Sequence, residues 1–523
     1  MKASYDVVVI GSGHNGLVAA GYMAKAGKSV LVLEKNSFFG GGVATKEVAA
    51  PGFRHDLHSA SHIFIQANPL LLNDELGLKA RYGLEYHHPE AVFSTIFEDH
   101  TSVVSYFDLD RTCESFARIS PRDAEAYRKF AQASLEVIPL IVQGMFLPPA
   151  PQGAFIGMLD QSPMGRNLMQ TMQRSILDIV NEHFESEKIK LHFLRFAAEL
   201  FVSPDEKGFG GIIFYMPGMM HTYRPGVPIG GSGALVDALI RCLEDNGAEL
   251  YCDVEVEKVI IEGGVAKGVR LSGGEVIGAQ DCVIGQIHPW NLAAMVDDLD
   301  PQVAYSARRT QTSNFGVVSG HYALNEPPQY LAGDDAGRSM LTGFAPLEVM
   351  QYRRTFDSFR DGEMSRVKTL SLHTMSQFDP SRAPAGKAAS SSWRLAPFDL
   401  RDGAHWDDYK AQAAEETLEM LRYYAPNLSG NVVIGQSFDT PLDMQRYSPT
   451  FQRGDVNGLG KFFYQLNGHR PTPELSQYAV PGAEGLYLAG TFMHPPGGVT
   501  GGGRATAVKI FGDLGMDFEK VAQ

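Results

Sequence analysis

The chain has 523 residues, 44% of them hydrophobic and 20% charged, a composition of folded globular proteins rather than of disordered or fibrous ones. Its 60 acidic residues outnumber 45 basic ones, and the formal charge of -15 repels nucleic acid and anionic lipid, with no basic patch to override it. Four cysteines without a CxxC pair or a nearby His at ligand spacing argue against a disulfide framework, a metal site and a dithiol redox motif, and the cytoplasm is the expected location.

At roughly 150 residues per domain, this length suits two to four domains or two large interleaved ones. The N-terminus predicts strand, turn, helix, strand: β-branched Tyr5 to Ile10, the turn Gly11 to Gly16, Ala-rich Leu17 to Ala26, and Ser29 to Leu33. Asp6 cuts the apolar run short, against a signal peptide. Helical patterning follows over Pro121 to Val142 and Arg166 to Leu200. Beyond the Gly/Pro-rich Met216 to Gly233 come a helix over Ala234 to Asn246 and strands over Glu249 to Cys252, Glu255 to Glu262, Val265 to Leu271 and Cys282 to Ile284. A second mixed region, 301 to 475, includes the loop-like Pro380 to Ser392, and the end returns to a strand over Gly485 to Ala489 and a helix over Ala505 to Leu514. No stretch reaches the ~18 apolar residues of a membrane span.

Glycine is the informative deviation: 55 residues, about a tenth of the chain, against the usual ~7%. Gly11, Gly13 and Gly16 form GxGxxG between strand and helix, the turn that brings backbone N-H groups to a pyrophosphate. Glu34 ends the next strand, placed to accept hydrogen bonds from a ribose diol, with Lys35 beside it. A second station, Gly40 to Gly42, follows at once, and a third, Pro496 to Gly503, follows the strand ending at Ala489. Close backbone approach at three distant places suits a long cofactor, FAD rather than NAD.

The segments VVVIGSGHNGLVAAGYMAKAGKSVLVLEK, GGGVAT with PGFRHD, the central run from GGSGALVDAL to CVIGQIHP, and GLYLAGTFMHPPGGVTGGGRATA cover about two fifths of the chain in family order. They resemble the phytoene desaturase-like FAD oxidoreductases, which include carotene desaturases, retinol saturases and pyridine nucleotide-disulphide oxidoreductase domain 2 proteins and are related to flavin amine oxidases. The resemblance implies an α/β fold: a Rossmann-type FAD domain built from 1–70, 226–300 and 476–523, interleaved with an α+β substrate domain, 71–225 and 301–475, that has a helical subregion. It implies noncovalent FAD held by Gly11, Gly13, Gly16, Glu34, Lys35, Gly41, Gly42, Val256, Gly490 and Thr491, with Gly498, Val499 and Thr500 at the flavin ring. Two departures stand out: Val43-Ala44-Thr45 where the family often has arginine, and Arg504-Ala505-Thr506 where it has Asn-Ala-Ala.

For catalysis the sequence offers His55, His58 and His62 in a titratable-rich run, Tyr223 and Arg224 as carbonyl and carboxylate ligands, and His494 before the third station. Each also has a structural reading, as loop contact, packed ring or interdomain ion pair. The methionines from Met145 to Met220 read as core filler or as a pliable pocket, and Gly210 to Met216 as a membrane-dipping loop, which keeps peripheral membrane contact open. The expected activity is desaturation of a carbon-carbon bond in an apolar, alicyclic or carbonyl-bearing small molecule, with electrons passing to oxygen, a quinone or another diffusible acceptor. An amine oxidase, a saturase-type reductase and a non-catalytic binding flavoprotein are the alternatives. Oligomeric state has no signal in the sequence.

Overall fold

A computed structural model describes residues 1–523. The apolar runs Ser4–Ile10 and Val30–Leu33 pair in parallel, and every residue of the second is buried, as expected where helices cover both faces of a sheet. Seven strands make this first sheet, in the order Val256–Glu262, Val265–Leu271, Val276–Gly285, Ser4–Ile10, Val30–Leu33 and Glu249–Tyr251, with Leu486–Leu488 added in parallel beside Val276–Gly285. Its strands therefore come from the two ends of the chain and from its middle. Helices His14–Lys25, Gly233–Asp245 and Gly503–Asp513 share its core.

A second seven-stranded sheet runs Val433–Asp439, Gly316–Leu324, Ala388–Ala396, Leu370–His373, Leu341–Ala345, Ala91–Phe97 and Ser102–Tyr106, antiparallel except where Leu341–Ala345 meets Ala91–Phe97. Helix Trp406–Tyr424 packs on one face; Glu187–Ala198 and the helical region around it pack on the other. No helix is long and apolar enough to cross a membrane.

Four expectations need correction. Ala388 to Ser392 form a strand rather than a loop: their small polar side chains mimic a linker, yet all are buried between neighbouring strands, where Ser390 and Ser392 bond to Thr374 and Tyr322. Gly210 to Met216 open the helix Gly210–Thr222, which is largely buried against helix Pro121–Met145 instead of dipping toward a membrane; Gly218 sits so close to Ser134 and Ile138 that a β-carbon would be crowded out. Among the methionines, Met216, Met219 and Met220 are core while Met158 and Met164 are exposed. The last helix starts at Gly503, two residues early, with Arg504 buried in a bidentate pair with Glu75 at 2.8 Å.

Candidate active site

One cavity of about 640 Å³ runs between the two sheets. At one end lie the first turn, Gly11 to Asn15, with Glu34, Lys35 and the Val254 to Glu257 edge. Helix His14–Lys25 starts there without a side-chain cap or an acidic residue in its first turn, so its N-terminal N-H groups keep their pull on an anion. Gly11 holds φ at 85°, a conformation natural to glycine. Gly13 and Gly16 face the Gln286 carboxamide, whose Nε2 donates to the Gly11 carbonyl at 2.7 Å, and a β-carbon on either glycine would collide with that amide. The glycine at 16 thus serves the packing of turn on strand, whereas Gly13 also lines the cavity.

Glu34 is buried. Its Oε2 accepts from the Ser12 N-H (2.9 Å) and hydroxyl (2.6 Å), and its Oε1 from the Asn36 N-H (2.9 Å). Those bonds fix the carboxylate at the cavity wall with lone pairs to spare for hydroxyl donors. The second station joins the first directly, Gly13 bridging Gly40, and Gly41 and Gly42 line the same space. The end of the strand before the third contributes Gly490 and Thr491, and the third itself Gly497, Gly498 and Val499; nothing lies within 4 Å of the position a β-carbon would take on Gly498, so that backbone is bare to a flat ring. His14 Nε2 and both ring nitrogens of His58 are buried without a partner, and both residues line the cavity. Burial drives both imidazoles toward the neutral form, His14 down to about 4 and His58 to about 3. Bare glycine backbone, a fixed carboxylate and unpaired buried nitrogens fit a long, polar, ring-bearing cofactor. No cysteine lines the cavity.

The other end is an apolar chamber on the second sheet. Phe196, Leu200, Leu341, Trp393 and Val456 form its wall, interrupted by Glu199, His373, Ser391 and Lys461. Glu199 is committed to the buried Arg195 guanidinium. Near the second station, Asp56 accepts from Thr45 Oγ1 (2.6 Å) and the Ser232 N-H (2.7 Å) and pairs with buried Arg382, which also holds Asp379 at 3.0 Å.

Several expected residues lie elsewhere. His62 is off the cavity, its ring held between Tyr86 Oη (2.8 Å) and Ser232 Oγ (3.1 Å). His55 packs against the His321 ring at 5.4 Å. Arg224 is half exposed over Phe107 and 3.5 Å from Glu90, and Tyr223 packs against the small cluster of Ala67, Ile138, Phe146 and Met219, so neither lines the chamber. His494 is buried beside the third station without lining the cavity. Thr500 is also set back, its carbonyl accepting from Asn68 Nδ2 at 2.9 Å. Sequence reasoning passed over Gln286, Arg382, Glu199, His373 and Lys461. Only Lys461 carried a local signal, the preceding glycines Gly458 and Gly460.

A family model for an NAD(P)-binding Rossmann-like domain matches residues 9–72. The pyridine nucleotide-disulfide oxidoreductase domain-containing protein 2 of Rattus norvegicus is 27% identical, covering 98% of this chain and 94% of the relative. The phytoene desaturase (lycopene-forming) of Pseudescherichia vulneris is 24% identical over 97% of this chain and 99% of its own. Over nearly its whole length the chain is similar to phytoene desaturase-like oxidoreductases. Among these, a limonene dehydrogenase polypeptide of Castellaniella defragrans is 25% identical, covering 98% of this chain and 95% of its own. The fold is also that of the flavin amine oxidases: cyclohexylamine oxidase of Brevibacterium oxydans superposes with a TM-score of 0.57 at 15% identity, over 98% of this chain and 100% of the other.

Proposed function

We propose that this phytoene desaturase-like oxidoreductase binds FAD noncovalently and desaturates a carbon-carbon bond of an apolar, alicyclic or carbonyl-bearing small molecule. The observation that carries the reading is that one continuous cavity has the three glycine stations along one part and an apolar chamber at the other end. In this reading Gly11, Gly13 and the uncapped helix start hold the pyrophosphate, Glu34 the adenosine ribose, and the Val256 backbone the adenine; Gly16 supports the turn from behind. Gly41, Gly42, Gly490 and Thr491 approach the pyrophosphate and ribityl chain, and Gly498 and Val499 the ring. Residues 1–70, 226–300 and 476–523 form the cofactor domain and the remainder the substrate domain. Bound flavin supplies the two-electron oxidation. The chain's own task is to hold a C-H bond in place, exclude water with Phe196, Leu341 and Trp393, and receive a proton.

The alicyclic preference draws support from the limonene dehydrogenase relative and from the chamber's aromatic and aliphatic wall. An amine oxidase fits less well, because the chamber's carboxylate, Glu199, is already neutralised by Arg195 and leaves no free acid for a cationic substrate. With one dinucleotide turn and no cysteine pair, oxygen, a quinone or another diffusible acceptor is the expected oxidant of reduced enzyme. The test is direct. Cofactor released by heat is identified by chromatography, and the anaerobic protein is mixed with saturated or partly saturated cyclic hydrocarbons and ketones. FAD, bleaching by a ring substrate and recovery on aeration with an unsaturated product support the reading. Release of NAD or FMN, or reduction only by NADH or NADPH, overturns it.

A further inference from the structure

Lys461 is buried, yet no carboxylate lies within ion-pair distance of it. Its Nζ donates to the Leu200 carbonyl at 2.9 Å, its one hydrogen bond within the chain, and its side chain lines the cavity. Its Cε stands 2.9 Å from the place a β-carbon would occupy on Gly497, with Asn457 Oδ1 on the same spot at 2.6 Å. Lys461 therefore touches the third glycine station through Gly497 and the chamber wall through Leu200. The chamber's other titratable groups do not bridge in this way. Glu199 is bound to Arg195, and His373 sits within the second sheet, 3.3 Å from Ser371 Oγ.

The surrounding charges favour an uncharged amine. Arg470, wholly buried, donates to the carbonyls of Leu459, Gly460, Gln465, Thr491 and Met493 and pairs with no acid. Asp455 is the one acid acting on Lys461, and its oxygens are already taken by the Ser313 (2.7 Å) and Asn457 (2.9 Å) N-H groups. His494 is neutral, pushed down to about 4 by burial. Burial, partly countered by Asp455 and reinforced by Arg470, lowers the Lys461 ammonium to about 7. A buried lysine that exchanges its proton near neutrality is suited to general-base work.

We propose that Lys461 is the proton acceptor of the desaturation, taking on its amine nitrogen the proton of the substrate carbon that does not give up hydride. This rests on the dehydrogenase reading above. The balance is simple: one hydrogen leaves with its electron pair to the oxidant, a flavin, and the neighbouring hydrogen leaves as a proton to the Lys461 lone pair. The electron pair of that second bond becomes the new bond of the alkene. The resulting ammonium keeps the Leu200 carbonyl as acceptor until the proton passes to solvent.

Two measurements test it. Wild-type holoenzyme is treated with formaldehyde and cyanoborohydride between pH 6 and 9, and methylation of each lysine is followed by peptide mass spectrometry. Lys461 should reach half its maximal rate near pH 7 while surface lysines are still rising at pH 9. A Lys461 that tracks the surface lysines, or stays unmodified, overturns the proposal. The second measurement is anaerobic stopped-flow bleaching with a substrate that reduces the wild type. The rate should rise with pH through about 7, and Lys461→Met and Lys461→Arg should slow it ~100-fold or more with FAD content unchanged. Equal rates in wild type and variants would sink the lysine's role and leave the dehydrogenase reading standing. If no substrate bleaches the wild type, the dehydrogenase reading falls and the proton-acceptor role with it, while the methylation profile still reports whether the amine is basic as described.

Discussion

Replacing Arg382 with Met is the most informative stability experiment, because one guanidinium serves two buried carboxylates. It pairs with Asp56, holds Asp379 at 3.0 Å and donates to the Pro228 carbonyl at 2.9 Å. Removing one partner from a buried ion pair costs about 3–5 kcal/mol. Here both acids keep donors: Asp56 has Thr45 and Ser232, and Asp379 has the Gly230 N-H (2.7 Å) and Ser381 (2.6 Å to its hydroxyl). That retained bonding puts the expected loss near the low end, about 3 kcal/mol at pH 8. The pH dependence has a defined sign. Burial pushes the Asp379 carboxyl up, and bonds from Ser381, Gly230 and Arg382 more than reverse it, leaving it below its usual value. Without the arginine its folded-state pKa rises toward or above the unfolded one, so the penalty is full well above that pKa and shrinks as falling pH protonates the acid. Urea unfolding at pH 8 and at about pH 3, below the usual carboxylate pKa, followed by circular dichroism, measures both. A loss under about 1 kcal/mol at pH 8, or one equal at the two pH values, would show that the pair is not what closes this part of the fold.

Glu34→Ala should weaken FAD binding by about 1–3 kcal/mol, since it removes a charged acceptor and unpairs Ser12; fluorescence titration of apoprotein gives the value, and unchanged affinity would remove Glu34 from the ribose. Gly503→Ala places a β-carbon against the Asn15 carbonyl, backbone against backbone, and should yield insoluble or cofactor-free protein. Gly16→Ala meets only the mobile end of Gln286 and should fold, with a lower melting temperature in a calorimetric scan. Arg224→Ala, at an exposed pair, should change stability by no more than about 0.5 kcal/mol and leave flavin bleaching rates as they are; a large kinetic effect would return Arg224 to the substrate.

The parts of this fold that could be read from the sequence are those written locally. Alternating and continuous apolar runs marked Ser4–Ile10, Val30–Leu33 and the hairpin strands from Val256 to Leu271, and the glycine stations marked where backbone must lie bare. Local signals failed where tertiary packing decides. Ser390 to Ser392 look like a linker because serine is common in loops, but the sheet interior gives each hydroxyl a partner or the cavity. His62 looked reactive, and its nitrogens are in fact occupied by Tyr86 and Ser232. The Asp56–Arg382 pair spans 326 positions, and Lys461, marked locally only by the glycines before it, shows its role once its neighbours Leu200 and Gly497 are known. Nothing near either residue in sequence encodes such partners.

The closeness of helices His14–Lys25 and Gly503–Asp513 sets the order in which this protein can be made. Gly503 has no room for even a β-carbon beside Asn15, and Leu486–Leu488 completes the first sheet next to Val276–Gly285. A growing chain thus exposes the apolar flank of its first βαβ unit through nearly all of translation, because the segments that cover it are synthesised last. Domains ordinarily fold as they emerge from the ribosome. This one cannot complete its N-terminal unit until contacts of the longest sequence separation close, a slow step by the general relation between contact order and folding rate. Nascent chains stalled before residue 486 should therefore be open to protease at the N-terminal unit and unable to retain cofactor.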